Sequence, residues 1–245
     1  MAENAILYTE GLTKQFKGFY AVRNVDLAVA EGTIHALIGP NGAGKTTCFN
    51  LLTHFLVPTA GRIVYKGREI TGSAPADIAR MGLVRSFQIS AVFGHMTALE
   101  NVRVALQRRR GASFDFWRSE KVLKQYDGRA RGLRDAVGIL DSADTIAVEL
   151  PYGRKRALEL ATTLALEPVM MLLVEPTAGM GHEDVDRISQ LIKESARGRT
   201  VLMIVEHLSD RITVRARGEV LAEGDYETVS KDPRVVEAYI GTSHA

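Results

Sequence analysis

The clearest chemical pattern in the sequence is a glycine-rich segment that ends in a lysine and a hydroxyl side chain. Residues 39–46 read GPNGAGKT and match G-x-x-x-x-G-K-[ST] in full. Glycines let the backbone curl until successive N–H groups point inward at phosphate oxygens. Lys45 would then reach the β- and γ-phosphates of a nucleotide, and the Thr46 hydroxyl would bind Mg²⁺. The residues predicted to bind the nucleotide here are Gly39, Pro40, Asn41, Gly42, Ala43, Gly44, Lys45, Thr46 and Thr47.

The elements on either side of this segment suit a phosphate-binding loop. Residues 33–38 (TIHALI) form an apolar run that is typical of a strand. Residues 45–55 follow the loop and read as a helix. A helix that begins here turns its positive N-terminal end toward the phosphates. We therefore predict a strand, the loop and a helix in that order.

Two further apolar runs predict buried strands of the same sheet. Residues 169–174 (VMMLLV) and 200–205 (TVLMIV) are apolar almost throughout, as strands covered on both faces are. A helical pattern over residues 153–166 precedes the first run, and another over residues 186–196 precedes the second. Buried strands that alternate with helices predict a parallel α/β sheet.

The rest of the chain predicts additions to this sheet. Residues 5–8, 21–29 and 61–65 read as strands near the N-terminus. From residue 97 to about residue 139 the apolar residues follow helical spacing, which predicts a helical insertion. Residues 214–224 alternate between apolar and polar side chains and predict a hairpin.

Composition narrows the class of protein. The chain has 245 residues, of which 46% are hydrophobic, and this suffices for a sizeable core. Its net charge of +2 does not indicate a nucleic-acid partner, and none is expected. No stretch approaches the ~20 apolar residues of a membrane-spanning helix, so a role at a membrane must come through a partner. The one cysteine, Cys48, suits a reducing compartment and is expected to be a small buried side chain.

Further motifs extend the pattern over nearly the whole chain. They are Arg85-Ser86-Phe87-Gln88, residues 96–102 (MTALENV), residues 150–159 (LPYGRKRALE), Glu175-Pro176-Thr177 and Val205-Glu206-His207. Together with the glycine loop, their order and wording resemble the ABC transporter ATPases. The tail, residues 232–241 (DPRVVEAYIG), resembles the branch of that family that takes up branched-chain and other hydrophobic amino acids.

The resemblance implies a fold and a domain organisation. The fold would be a P-loop NTPase (RecA-like) α/β core with an N-terminal antiparallel β region and an inserted α-helical subdomain. Residues 1–245 would form a single domain. Its nucleotide-binding core would comprise residues 1–87 and 155–245, and the helical subdomain, which carries the signature motif, would comprise residues 88–154.

The resemblance also implies three catalytic residues. Glu175, which follows a buried strand, would orient and polarise the attacking water near the γ-phosphate. His207 would hydrogen-bond the γ-phosphate, and Gln88 would contact Mg²⁺ or the water. Thr46 and Gln88 are thus the expected ligands of Mg²⁺, and ATP is the expected nucleotide.

An aromatic ring upstream of the loop is implied as a stacking surface for adenine. Phe16 is the candidate by position, and Phe19 and Tyr20 are nearby alternatives. Each of these rings is also compatible with a place in the core. Val22 is expected to pack on the nucleotide as well.

Leu150, Pro151, Tyr152, Gly153 and Arg154 stand where the family has its signature motif. In this family the motif caps the γ-phosphate of ATP held by a second subunit, and a helix N-terminus is suited to that task. The implied partners are a second ABC ATPase subunit in a homo- or heterodimer, a transmembrane permease docked by the helical insertion and, indirectly, a solute-binding protein. The chain would then lie on the cytoplasmic face of the inner or plasma membrane, attached through the permease.

Several positions depart from the family pattern. Val174 stands where the family has an aspartate that holds a Mg²⁺-bound water, and losing such a group typically lowers metal affinity or activity ~10–100-fold. Pro151 replaces the signature serine, and Gly181 replaces an aspartate or asparagine. The segment after His207 is shorter than in the family by about two helical turns.

The sequence therefore predicts an ATP-binding and ATP-hydrolysing subunit that powers an ABC importer, with branched-chain or other hydrophobic amino acids as the solute. One alternative is a binding-only subunit, degenerate at Val174, that pairs with a competent paralogue. Another is a soluble ABC protein of translation or DNA repair. The second alternative is disfavoured because those chains usually carry two nucleotide domains or a long coiled coil.

Overall fold

Strands and helices alternate along most of the chain in the computed structural model, which describes residues 4–86, 92–108, 120–177, 182–204, 211–216 and 218–240. The strands are β1 (Ala5–Phe16), β2 (Phe19–Val25), β3 (Ala28–Ala30), β4 (Ile34–Ile38), β5 (Ala60–Tyr65), β6 (Arg68–Glu69), β7 (Leu83–Arg85), β8 (Met170–Val174), β9 (Thr200–Ile204), β10 (Arg211–Ala216) and β11 (Glu219–Gly224). The helices are α1 (Lys45–Leu52), α2 (Pro75–Arg80), α3 (Ala98–Gln107), α4 (Asp127–Ala136), α5 (Tyr152–Ala165), α6 (His182–Ser195), α7 (Tyr226–Ser230) and α8 (Pro233–Ile240). Short 3₁₀ helices cover Glu120–Tyr126, Leu140–Ser142 and Ala147–Glu149.

The chain divides into two compact units. The first comprises Met1–Leu83, Val169–Glu175 and Ala196–Ala245. The second comprises Val84–Pro168 and Pro176–Ser195. The glycine loop belongs to the first unit, and the predicted signature segment belongs to the second.

A largely parallel sheet forms the centre of the first unit. Its strand order is β11-β10-β4-β9-β8-β7, in which β10, β4, β9 and β8 run parallel to one another and β11 is antiparallel to β10. Every residue of β8 and β9 is buried, as their continuous apolar runs predict. The sheet therefore places the carboxyl ends of several buried strands at one edge, where α/β proteins bind ligands.

A second, antiparallel sheet has the order β2-β1-β5-β6, with β3 also paired to β1. The strand β1 is longer than the predicted residues 5–8, because the alternating polar residues that follow are those of a half-exposed antiparallel strand. The strand predicted over residues 21–29 is instead split into β2 and β3. At the split Asp26 Oδ1 accepts a hydrogen bond from the Gly11 N–H (2.6 Å), and the Leu27 N–H donates to Thr9 Oγ1 (3.0 Å). These side-chain hydrogen bonds replace backbone ones at this point, so the pairing with β1 is interrupted between β2 and β3.

One apolar core connects the two sheets of the first unit. Leu7 of β1, Phe49 of α1, Leu172 of β8 and Leu202 of β9 are fully buried members of it. Burying each such side chain contributes about 1.5–3 kcal/mol. Since α1 contributes to this core, the start of the helix is fixed relative to both sheets.

The second unit is helical. The helices α3, α4 and α5 pack together, and α6 packs on α5. A capping box at Thr97 and Glu100 starts α3. On α5 the guanidinium of Arg156 pairs with Glu159 (2.7 Å). Because both side chains are buried, removing either one would leave an uncompensated buried charge.

The predicted α/β architecture with an antiparallel N-terminal region and a helical insertion is confirmed. In the structure α5 and α6 are grouped with the helical insertion, while the functional boundaries at residues 88 and 154 stay a prediction. Within the described residues, no helix combines the length and apolar character needed to cross a membrane.

Replacing Asn101 by alanine should destabilise the second unit. The buried Asn101 side chain accepts from the Phe93 N–H (2.7 Å) and donates to the carbonyls of Phe93 (3.1 Å) and Thr97 (3.0 Å). Alanine would leave the Phe93 N–H without its acceptor, at a cost of about 1–3 kcal/mol, whereas the two carbonyls keep the Met96 and Asn101 N–H groups as donors. The control is Gln190→Ala, which removes an exposed amide and should change stability by less than about 0.5 kcal/mol. Urea unfolding of both variants is the measurement, and equal midpoints would contradict the assigned role.

Candidate phosphate-binding site

The glycine loop lies between β4 and α1, as the sequence predicts. Helix α1 begins at Lys45 after Gly44, whose backbone is left-handed (φ 78°, ψ 17°). No side chain caps this helix, and its first turn contains no acidic residue. Neither the cap position nor the first turn of α1 therefore supplies an anion that would compete with a phosphate group for the N–H groups and the positive end of the helix.

Two glycines of the loop press against the backbone of neighbouring strands. A Cβ added at Gly39 would overlap the carbonyl oxygen of Arg215 in β10. A Cβ added at Gly44 would overlap the carbonyl oxygen of Ala21 in β2. Gly42 also has a positive φ (83°), but nothing lies within 4 Å of the place of its Cβ. Only glycine therefore fits at the two ends of the loop. At Gly42 the positive φ alone favours glycine.

The two residues predicted to contact phosphate and metal start the helix. The ammonium of Lys45 donates to the Gly39 carbonyl and to the Pro40 carbonyl (3.0 Å), so it lies across the loop. Its flexible stem allows it to move from these carbonyls to phosphate oxygens. Thr46 is exposed in the first turn, while Thr47 is half-buried. An exposed hydroxyl at this place suits a Mg²⁺ ligand.

A cavity of about 700 Å³ adjoins the loop. Its lining includes Phe19, the loop residues Pro40, Asn41, Gly42 and Ala43, the hairpin residues Ala216, Glu219 and Leu221, and the α8 residues Arg234, Glu237 and Ala238. This volume is in the usual range for small-molecule sites. Residues 232–241 resemble one branch of a family, but nothing in their pattern predicts that Arg234, Glu237 and Ala238 line a cavity beside the loop.

The three candidate adenine rings are all partly exposed, which removes the interpretation of a core ring. Phe16 and Phe19 are direct partners across the β1–β2 hairpin. Phe19 lines the cavity, whereas Phe16 is not part of its lining and lies under the Lys14 ammonium (5.1 Å to the ring centre). Val22 is fully buried in the apolar core, so in this structure its side chain offers no surface to a nucleotide, in contrast to the predicted packing.

The carboxyl end of β8 carries the predicted catalytic glutamate. Val174 is the last residue of the strand and is packed into the apolar core with 4% of its surface exposed. Glu175 follows with an exposed side chain and a left-handed backbone (φ 45°), a conformation that is rare for residues other than glycine. Gln88, Gly181 and His207 lie outside the described residues.

The predicted signature segment starts α5 in the second unit. Pro151 is exposed and precedes the helix, and Leu150 is buried behind it. The Cα of Gly153 lies against the Asp184 carboxylate, which a Cβ would overlap. The Arg154 guanidinium donates to Asp141 (2.8 Å). Tyr152 is partly exposed and its hydroxyl accepts from Arg156 (3.3 Å).

A buried arginine behind the loop was missed by sequence reasoning. Arg215 of β10 is fully buried, and its guanidinium donates to the carbonyls of Gly44 (3.0 Å) and Gly218 (2.9 Å). Burial raises the pKa of the Cys48 thiol on α1, and the positive charge of Arg215 opposes that rise. In the hairpin pattern the side chains of Val214 and Arg215 point to opposite faces of the strand. Alternation alone therefore predicts that the Arg215 side chain faces solvent.

Replacing Gly44 by alanine should destabilise the protein more than replacing Gly42. Both residues have a positive φ, so both variants suffer the ~1 kcal/mol strain of an L-residue there. Gly44→Ala adds the overlap with the Ala21 carbonyl, worth a further ~1–3 kcal/mol. Thermal unfolding of the two variants is the measurement. Equal melting temperatures would show that the loop is not held against β2.

Comparison with known proteins agrees with this geometry. A family model described as "ABC transporter" matches residues 22–178, and one described as "Branched-chain amino acid ATP-binding cassette transporter" matches residues 219–245. A crystal structure of the ADP conformation of MJ1267, an ATP-binding cassette of an ABC transporter, has a TM-score of 0.82 and 28% identity, covering 97% of this chain and 99% of its own. The predicted P-loop NTPase fold is thereby confirmed.

Two curated relatives are similar over almost their whole length. The high-affinity branched-chain amino acid transport ATP-binding protein BraF of Pseudomonas aeruginosa is 38% identical over 252 residues, covering 96% of this chain and 98% of its own. The protein of the same description named LivG from Escherichia coli is 36% identical over 254 residues, with the same coverages. The resemblance seen in the motifs is confirmed, and the chain belongs to the ABC transporter family as an ATP-binding subunit.

Proposed function

We propose that this chain hydrolyses ATP to power an importer of branched-chain or other hydrophobic amino acids. The observation that carries the proposal is the uncapped N-terminus of α1 behind a glycine loop that fits only glycine at both ends. The solute class comes from the names of the relatives and from the C-terminal family match. The two compact units would act together as one ATPase domain.

Within this proposal the loop residues hold the phosphates of ATP. Backbone N–H groups of residues 41–47, which include the start of α1, bind the phosphate oxygens, and Lys45 neutralises their charge. The Thr46 hydroxyl and Gln88 would hold Mg²⁺, which supplies positive charge beside the β- and γ-phosphates. Phe16 or Phe19 stacks on adenine, and the cavity favours Phe19.

Glu175 is the proposed residue that orients the attacking water. Its exposed side chain follows a buried parallel strand, and its backbone is left-handed, a strained conformation of the kind found at functional sites. His207 is the proposed donor of a hydrogen bond to the γ-phosphate. Hydrolysis breaks the bond between the γ-phosphorus and the bridging oxygen, with water as the incoming group and ADP as the leaving group.

The signature segment is proposed to act on ATP held by a second subunit. Leu150, Pro151, Tyr152, Gly153 and Arg154 lead into the N-terminus of α5, which suits an anion. The active form is then a dimer of two such subunits, with a permease that attaches it to the cytoplasmic face of the membrane. A solute-binding protein would deliver the amino acid to the permease from the other side.

An exposed apolar surface of the second unit is proposed as the permease contact. Phe93, Met96 and Val148 are large exposed apolar side chains. Hydrogen bonds from the Ala147 N–H to the Met96 carbonyl (2.9 Å) and from the Val148 N–H to the Gly94 carbonyl (3.0 Å) bring them together. Asn101 fixes the same segment, so the surface is held in one shape. A fixed apolar surface of this kind suits docking of a partner helix.

The binding-only alternative rests on Val174. Its side chain is packed into the core, so the end of β8 offers no carboxylate at that position for a Mg²⁺-bound water. A subunit of this kind would bind ATP and close on it while a competent paralogue hydrolyses. The rate of phosphate release from the wild-type protein separates the two functions.

Replacing Glu175 by glutamine should retain ATP binding and slow hydrolysis by about 100-fold or more, since the amide cannot polarise water. Phosphate release measures hydrolysis, and light scattering with ATP measures dimer formation, which should increase in the variant. The control is Glu167→Gln, because Glu167 shares the left-handed backbone (φ 50°) of Glu175 (φ 45°) but lies in the second unit. A wild-type protein that binds ATP yet releases phosphate no faster than Glu175→Gln would establish the binding-only alternative.

A cysteine placed at Phe93 should cross-link to a co-expressed permease that carries cysteines on its cytoplasmic helices. The control is a cysteine at Val57 of the first unit, which is 62% exposed against 54% for Phe93. His95→Cys offers a second position on the same segment. Cross-linked products on denaturing gels are the measurement. Products formed at Val57 and absent at residues 93 and 95 would overturn the docking assignment.

A further inference from the structure

Arg215 carries a positive charge that forms no ion pair with any carboxylate among the described residues. It is the largest of the fully buried side chains, and in the described part of the chain its guanidinium bonds only to the backbone carbonyls of Gly44 and Gly218. Among the same residues its Nε–H has no acceptor. Burying an ion without a counter-ion is unfavourable, so this charge needs an explanation outside the fold of the empty protein.

The two carbonyls do not need the guanidinium. The Gly44 oxygen also accepts the Cys48 N–H (2.8 Å) in the first turn of α1. The Gly218 oxygen also accepts the Arg23 N–H of β2 (2.7 Å). A neutral side chain at position 215 would therefore leave both carbonyls with a hydrogen-bond donor. Satisfaction of backbone groups does not account for Arg215.

The bond to Gly44 acts on the phosphate side of the loop. The Gly44 carbonyl and the Lys45 N–H belong to one trans peptide unit, so they point in opposite directions. A guanidinium on the carbonyl fixes the plane of that unit and polarises it, which strengthens the N–H as a donor. The backbone of Arg215 also lies against Gly39 at the other end of the loop. One residue thus contacts both ends of the phosphate-binding loop.

We propose that Arg215 is a positioning residue for nucleotide phosphates, which holds the Gly44–Lys45 peptide unit with its N–H toward the phosphates and supplies a buried positive charge that bound phosphate compensates. The proposal rests on the proposed binding of ATP at residues 39–47. It predicts opposite effects of one substitution: weaker nucleotide binding, and no loss of stability in the empty protein. A purely structural arginine would behave in the reverse way.

The test compares Arg215→Met with Arg215→Lys and with the wild type. Methionine has a similar length and no charge; lysine keeps the charge but is a point donor that does not reproduce the two-carbonyl contact. Dissociation constants for ATP and ADP are measured by titration calorimetry, and unfolding temperatures are measured with and without nucleotide. Arg215→Met should weaken both nucleotides about tenfold, since tenfold corresponds to the ~1.4 kcal/mol of one charge-assisted bond. Its unfolding temperature without nucleotide should equal or exceed that of the wild type, and Arg215→Lys should bind with intermediate affinity.

Arg134→Met is the matched control. Arg134 is a buried arginine of the second unit whose side chain also donates to a backbone carbonyl, that of Ala130 (3.3 Å). Its replacement should leave the affinity for ATP unchanged. An Arg215→Met variant that does not fold would contradict the predicted stability without nucleotide, and Arg215→Gln, which keeps an amide donor and loses the charge, would then measure the effect of the charge on nucleotide affinity.

The outcomes separate this proposal from the one on which it rests. If the wild type binds ATP and the Arg215 variants bind equally tightly, Arg215 is not a positioning residue and ATP binding stands. If the variants lose stability without nucleotide but keep wild-type affinity, the arginine is structural and the proposal is wrong. A wild type that does not bind ATP would remove both proposals.

Discussion

The close approach of two glycines to backbone carbonyls is the constraint on which the phosphate loop depends. Gly39 lies against β10 of the parallel sheet, and Gly44 lies against β2 of the antiparallel sheet. The loop is therefore wedged between two sheets, and its curvature is set by both. Because α1 is packed into the core that the sheets share, the positive end of the helix has a fixed direction. The chemistry of the site follows from this arrangement, since phosphate meets N–H groups that need not rearrange.

Local pattern was enough to predict the loop and the elements beside it. An apolar run, glycines followed by lysine and threonine, and a helix are properties of consecutive residues, and the buried runs of β8 and β9 are equally local. The end of α1 was not predictable in this way. The helix was expected to reach Phe55 but ends at Leu52, where the Thr53 hydroxyl donates back to the Phe49 carbonyl (2.8 Å). His54 then has a left-handed backbone (φ 56°), which the sequence does not predict because the residue is not a glycine.

The parts of the site that escaped prediction depend on contacts between distant segments. In β10 the alternation of Val214 and Arg215 suggests one buried and one exposed side chain, yet both are fully buried. The reason is that β10 is an inner strand between β4 and β11, and its residues from 212 to 216 are all buried, so both of its faces are covered. The hairpin pattern does not reveal this. The left-handed backbone of Glu175 is similar, since nothing in Glu-Pro-Thr requires it. Gln88 and His207 stay predictions from the resemblance.

The single cysteine of the chain also has a consequence for the cell. Cys48 lies on α1 directly behind the phosphate loop, fully buried, where burial raises the pKa of its thiol. The thiolate is the form that oxidants and electrophiles attack, and little of it exists at neutral pH in such a place. The sulfur is therefore both shielded and chemically quiet. Nucleotide binding by this subunit should therefore be less sensitive to thiol oxidants than that of an enzyme with an exposed thiol beside the nucleotide.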